Sequence, residues 1–289
     1  MHEPVLLNET IELLRPKEGD SYLDATAGYG GHARQILTRT KNYNNSVLVD
    51  RDKAANDYLN QEFNNLGVTI LRDDFYSVAD KLLKQTRKFD IILADLGVSS
   101  QHLDKASRGF SFSLNGPLDM RMDQSQELTA NTIVNSWDAS SIERILRQYG
   151  EEPKAKRITK SIMGSRPIND TTELANAVVR ATGRFTGKHP ATRTFQAIRI
   201  AVNDELRLIE RVIPLWVELL NPGGRLGIIS FHSLEDRIVK HYFAEKGGNR
   251  YDSSLKVLTV RPVVATTDEL AFNPRSRSAK LRVAVKIKI

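Results

Sequence analysis

The stretch Tyr22-Leu-Asp-Ala-Thr-Ala-Gly-Tyr-Gly-Gly-His32 runs from apolar residues into three glycines. It reads as a strand ending in a tight turn, followed by a helix that begins near His32. Glycines at such a turn let backbone approach a ligand where a Cβ would collide, and the helix start offers unpaired N–H groups. Gly28, Gly30 and Ala33 fit the G-x-G-x-x-G/A spacing of dinucleotide sites. A plain strand-to-helix turn also uses glycine, so this stretch alone leaves both readings open.

On either side, strands and helices alternate. Residues 5–14 carry apolar positions at helical spacing and stop before Pro16. Residues 46–50 are a second predicted strand ending in Asp50, which lies 20 residues beyond Gly30 and is placed for a ribose hydroxyl. Asp50 equally suits the cap of a helix predicted over 53–63. Strand three, 68–72, leads to Phe75, either a stacking surface for an adenine or a core residue. Strand four, 89–95, is nearly continuous in apolar residues, as a strand buried on both faces requires, and ends in Asp95.

The alternation then stops. Residues 105–204 read as an inserted, mostly helical module with helices over 140–149, 151–163 and 172–181, between a first part of the main domain at 1–104 and a second at 205–289. One long helix is expected where Phe195, Ile198, Val202, Leu206, Ile209, Ile213, Trp216 and Leu220 form a single apolar stripe, bent by Pro214. Thr192, Arg193, Gln196, Arg199 and Asn203 occupy a separate polar arc of it. Strand five is predicted at 225–230, with His232 at its ligand-facing edge and a helix to about 246 capped by Ser233 with Asp236. Glu235 and Asp236 read as acids favoured by that helix's dipole. Two late strands, 255–264 and 281–289, suit an antiparallel pair at the sheet edge.

The 289 residues, 40% hydrophobic, suffice for one or two packed domains. The absence of cysteine excludes disulfides, iron–sulfur clusters and thiolate zinc sites, and six scattered histidines suggest no metal cluster. No apolar run approaches a membrane span and no signal peptide is recognisable, so a cytoplasmic chain without a membrane partner is expected. Net charge is +7, and residues 154–199 alone hold ten Lys/Arg against two Asp/Glu. Positive charge concentrated in one segment suits phosphates, making nucleic acid the leading partner class against a merely solvated face. Lys154, Lys156, Arg157, Lys160, Arg193, Gln196 and Arg199 are the candidate RNA contacts.

Two features favour S-adenosylmethionine over NAD: a terminal strand pair with little helix between, and the acid Asp24 four positions before the first glycine. In order along the chain come ADLGVSS (94–100), RGFSF (108–112), GPLDMRMD (116–123), HPATRTFQAIRI (189–200), GGRLGIISFHSLEDRIVK (223–240) and NPRSRS (273–278). With these, nearly end to end, the chain resembles the bacterial ribosomal RNA small-subunit methyltransferase H (MraW) family. The resemblance implies an α/β fold, a Rossmann-like S-adenosylmethionine methyltransferase sheet carrying the helical insert. It further implies methyl transfer from S-adenosylmethionine, without a metal, to N4 of a cytidine in the decoding region of 16S ribosomal RNA, free or in a 30S particle.

By motif position the resemblance implies cofactor contacts at Gly30, Gly31, His32, Asp50, Phe75, Asp95 and His102. His102 stands where members commonly have glutamine, with Gln101 beside it. A cytosine amino group is a poor nucleophile because its lone pair is delocalised, and Asp95 is the candidate acceptor that draws the N–H charge. Phe110 and Phe112 are the candidate stacking aromatics, with core packing the other reading. Rival readings are a methyltransferase of DNA or a small molecule, a non-catalytic RNA-binding assembly factor, and a NAD-dependent dehydrogenase. The oligomeric state is not legible, and a homodimer is left open.

Overall fold

The computed structural model describes residues 4–98, 103–183, 187, 189–248, 251 and 253–288. Its seven strands are β1 (Tyr22–Asp24), β2 (Val47–Val49), β3 (Thr69–Leu71), β4 (Phe89–Asp95), β5 (Leu220–Ser230), β6 (Leu255–Val257) and β7 (Lys280–Lys286). They lie in the order β3-β2-β1-β4-β5-β7-β6. The first five run parallel, while β7 is antiparallel to both β5 and β6. Strand order reverses between β1 and β4, so connections leave their carboxyl ends in opposite directions and open a crevice there.

The chain divides at 97/98 and 205/206 into two compact units. In the discontinuous one, helices α1 (Leu7–Leu14), α2 (Gly31–Thr40), α3 (Lys53–Phe63) and α4 (Phe75–Lys84) follow the early strands. Side chains alternate across a strand. Leu23, Ile92 and Ala94 therefore join one core with Val78 and Trp216, while Tyr22, Ile91 and Leu93 join another with Ile36, Leu37 and Leu59. The sheet is apolar on both faces, as its continuous hydrophobic runs require.

The contiguous unit, 98–205, contains α5 (Ala130–Ser136), α6 (Ala139–Gln148), α7 (Ala155–Gly164), α8 (Thr171–Thr182) and α9 (Ala191–Asn203). They enclose Met120, Ile145, Leu146, Ile158, Leu174 and Ile198 in a core of their own. The helix expected from 151 starts later because Glu151 adopts a left-handed φ of 47°. None of the described helices is long and apolar enough to cross a membrane.

Three expectations need correction. The long stripe is two helices, α9 and α10 (Glu205–Leu219), separated by Asp204 at φ 50°, ψ 34°. A right-handed helix does not continue through a left-handed residue, and the Asp204 N–H closes α9 by donating to Ile200 O. Phe195, Ile198 and Val202 bury in the contiguous unit's core, whereas Ile209, Ile213, Trp216 and Leu220 bury in the sheet's core. The helix after β5, α11 (Ser233–Lys246), is capped by His232 with Glu235, not Ser233 with Asp236. Asp236 instead accepts from Arg282 Nε at 2.6 Å and Lys280 Nζ at 3.3 Å. The late strands are shorter than expected, and a short helix α12 (Thr267–Phe272) and a 3₁₀ turn (Pro274–Ser278) lie between them.

Asp90 clamps the sheet's start. Its Oδ2 accepts from Ser21 N at 2.9 Å and Ser21 Oγ at 2.7 Å, and its Oδ1 accepts from Asn221 Nδ2 at 2.8 Å. Partial burial pushes the carboxyl pKa up, but the hydrogen bonds from Ser21 and Asn221 outweigh it and hold the group below its ordinary 3.8. A depressed carboxylate stabilises the fold above its unfolded pKa, and this is lost as pH falls through the folded value. Asp90→Ala is expected to cost about 1.5–3 kcal/mol in urea unfolding at pH 7. The deficit should shrink below pH 3.8, and a pH-independent deficit would show that the carboxylate's charge contributes nothing.

Candidate active site

The carboxyl ends of β1 and β4 bring acids together. Asp24, last in β1 and 2% exposed, accepts from Tyr22 Oη at 2.6 Å and from Thr26 N at 3.2 Å. Burial raises its pKa to about 7, against the lowering effect of those two bonds and with a further push upward from Asp50. Asp95, last in β4, is tied to the β1 exit by its N–H, which donates to Thr26 Oγ1 at 2.5 Å. Burial first, then the neighbouring charges of Asp24 and Glu235, push the Asp95 carboxyl well above the usual carboxylate range. Asp95 Oδ1 is buried with no hydrogen-bond partner, although the side chain as a whole keeps 26% exposure. An acceptor placed at the crevice with nothing to accept is set for a donor or a cation brought by a ligand.

His32, in the first turn of α2, reaches the same cluster. Its Nε2 bonds Val5 O at 3.0 Å, which fixes the proton there, and its Nδ1 lies 3.7 Å from Asp95 Oδ2. Burial pushes its pKa down to about 4. The imidazole is therefore neutral at pH 7, and the approach to Asp95 is not an ion pair.

The glycines have different reasons. A Cβ on Gly30 would meet Phe63 Cε2 at 2.5 Å, and one on Gly31 would meet Pro4 Cγ at 2.6 Å. Both are required by packing behind the loop. At Gly28, φ 54°, the nearest atom to a Cβ would be Thr26 O at 3.9 Å, so this is the glycine beside open space. Its N–H donates to Asp50 Oδ2 at 2.9 Å, while Asp50 Oδ1 accepts from Asp52 N at 2.8 Å. Asp50 thus braces the glycine loop, and the cap of α3 is Asp52, which accepts from Ala54 and Ala55. Phe75 begins α4, capped by Asp74, and is half-buried against Trp216 with ring centroids 5.6 Å apart. His102 and Gln101 lie outside the described residues.

Within the contiguous unit, Lys154, Lys156, Arg157 and Lys160 are exposed on and just before α7. Lys154 Nζ is tethered to Thr182 O at 3.0 Å. On α9, Thr192 and Arg193 are exposed, but the other three residues of the expected polar arc are internally engaged. Gln196 Nε2 donates to Tyr149 O at 3.0 Å, Arg199 makes a two-point ion pair with buried Glu205 at 2.9 and 2.8 Å, and Asn203 accepts from Met122 N at 2.9 Å. These three hold the unit together. Phe110 is 6% exposed in its core, so it offers no free ring, and Phe112 stacks on His189 at 4.5 Å.

Glu235 is the residue that sequence reasoning passed over. It is 1% exposed, its Oε2 accepts from Phe231 N at 2.8 Å, and His232 Nε2 lies 3.2 Å from its Oε1. A helix-cap pattern hid it, and its closeness to Asp95 depends on β5 pairing beside β4.

The MraW methylase family pattern matches residues 1–287. Among known proteins, ribosomal RNA small subunit methyltransferase H of Heliobacterium modesticaldum is 44% identical over 311 residues, covering 99% of each chain. The protein of that name from a Nostoc species is 47% identical over 290 residues, 99% of this chain and 92% of that one. Its Synechocystis counterpart is 45% identical over 296 residues, 99% and 93% of the two chains. Matched from end to end by the pattern and by these relatives, the chain belongs to the MraW methylase family.

Proposed function

We propose that this chain methylates a base amino group, N4 of a cytidine, in small-subunit ribosomal RNA, using S-adenosylmethionine. The observation that carries the reading is the acid cluster of Asp24, Asp95 and Glu235 at the switch point, with Asp95 Oδ1 buried and unpartnered. Such a cluster suits a ligand bearing positive charge. It opposes the anionic pyrophosphate of a dinucleotide, which would sit at the same turn. The family membership and the names of its relatives support the substrate class.

S-adenosylmethionine, when bound, supplies a methyl on a cationic sulfur that a nucleophile displaces in line. The chain's own residues position and polarise. Gly28 leaves room for backbone to approach, Asp50 sets the loop through Gly28 and Asp52 and places a carboxylate for ribose hydroxyls, and Phe75 offers the ring face not packed on Trp216. Asp95 accepts from the attacking amino group, localising its lone pair, and takes up the N–H charge as it grows. Thr26, through the Asp95 N–H, holds the end of β4 in place for this. Lys156, Arg157, Lys160 and Arg193 hold RNA phosphates.

The direct test is transfer of labelled methyl to small-subunit ribosomal RNA, with the modified base mapped by mass; no incorporation, or a label outside cytidine, would overturn the reading. Asp95→Asn is expected to slow single-turnover transfer by roughly a hundredfold or more at saturating cofactor and RNA, and an unchanged rate would remove its role. For RNA docking, Lys156→Gln/Arg157→Gln/Lys160→Gln should weaken RNA binding and lower the salt slope by about 2–3. Cofactor affinity should remain within about twofold, and a wild-type slope would leave α7 a solvated face. A cation favours ionised Asp24, whose pKa in the free protein is about 7. Cofactor binding should therefore release protons and weaken from pH 8 to pH 6, by up to about tenfold per unit. Calorimetry in buffers of different ionisation enthalpy checks this, and zero net proton release would contradict it.

A further inference from the structure

The motif at 273–278 supplies none of the crevice contacts described above, and the fold anchors it. Asn273, Ser276 and Ala279, at the three-residue period of a 3₁₀ turn, are 9%, 0% and 1% exposed. Ser276 Oγ donates to Asn273 O at 2.7 Å. The preceding α12 is capped by Thr266, and its Glu269 accepts the Leu6 N–H at 2.8 Å. Pairing of Val263 with Leu281 lays residues 260–264 beside the exit of the turn.

What this anchored ledge presents outward is aromatic, apolar and basic. Phe272 is 82% exposed and Val260 85%, while Arg261, Arg275 and Arg277 are exposed. A phenylalanine left in water on a fixed backbone contributes nothing to the core, and within residues 260–279 the acids are Asp268 and Glu269, the latter committed to Leu6, against three arginines. An exposed aromatic face flanked by arginines matches an unpaired nucleic-acid strand, whose bases stack while its phosphates pair. A second copy of the chain would bring the same arginines against one another.

We propose that this ledge docks a single-stranded segment of ribosomal RNA, with a base on Phe272 and phosphates on Arg261 and Arg277. The proposal rests on the ribosomal RNA reading above and adds a second docking surface to it, on the unit that carries the sheet.

The test uses the full chain and in-vitro-transcribed small-subunit ribosomal RNA, with filter binding at several salt concentrations and melting curves to verify folding. Arg261→Gln/Arg277→Gln is expected to raise the RNA Kd and flatten the salt slope by about 1.4–1.8. Phe272→Ala should raise the Kd about fivefold to a hundredfold with the slope unchanged. Arg261→Lys/Arg277→Lys should keep the wild-type slope, and cofactor affinity should not move in any variant. If wild-type protein methylates the RNA but the glutamine pair and Phe272→Ala bind it normally, the ledge proposal fails and the function stands. If wild-type protein neither binds nor methylates the RNA, both fail. Should Phe272→Ala convert a sedimenting dimer to monomer with RNA affinity intact, a second copy covers the ledge and the proposal is overturned. The arginine pair, on exposed side chains, decides the matter independently if Phe272→Ala melts early.

Discussion

Asp24 and Asp95 share the edge where β1 and β4 end, and burial together with a neighbouring carboxylate, Asp50 for Asp24 and Asp24 for Asp95, makes each harder to ionise. Desolvation disfavours a carboxylate, and a like charge nearby disfavours it again. The Tyr22 hydroxyl and Thr26 N–H offset part of this at Asp24, while Asp95 keeps an oxygen without a partner. The folded pKa of Asp24 lies above its unfolded 3.8, so its contribution to stability is present below that value and is lost as pH rises through about 7. At neutral pH the site pulls against the fold. The two apolar faces of the sheet and the Asp90 clamp must supply what the crevice withholds, a common cost of a working site.

Much of the sheet was legible because its strands are short apolar runs between turn signals. Strand β4 matches the reading at both ends, 89 and 95. The caps were not legible. Asp50 and Asp52 are two residues apart, the capping choices His232 with Glu235 and Ser233 with Asp236 differ by a single residue, and only backbone geometry selects which side chain meets the free N–H groups. The stripe from Phe195 to Leu220 kept its period through the break because a single residue, Asp204, reverses the sign of φ. Hydrophobic spacing does not register such a reversal.

Within the site, Asp50 and Asp95 could be picked out because both end strands, where α/β sheets bind ligands. Their coupling could not. Asp24, Asp95 and Glu235 come from three distant segments joined only by sheet pairing. Gly30 and Gly31 stand out in the sequence, but the residues that forbid a side chain there, Phe63 and Pro4, are remote from them along the chain. Arg199 and Gln196 looked like a surface arc because their partners, Glu205 and the Tyr149 carbonyl, leave no periodic trace.

The strand order also has a consequence during synthesis. Strand β4 pairs with β1 on one side and β5 on the other, and the whole contiguous unit is translated between β4 and β5. A ribosome adding about 5–20 residues per second leaves that side of β4 without its strand partner for roughly 6–25 s. The contiguous unit can meanwhile collapse on a core drawn entirely from its own residues. The nascent half-sheet, apolar on both faces and open along a central strand, is the species most exposed to aggregation. Its rescue waits on residues 220–230, and the far edge of the sheet closes only once β7, residues 280–286, has followed.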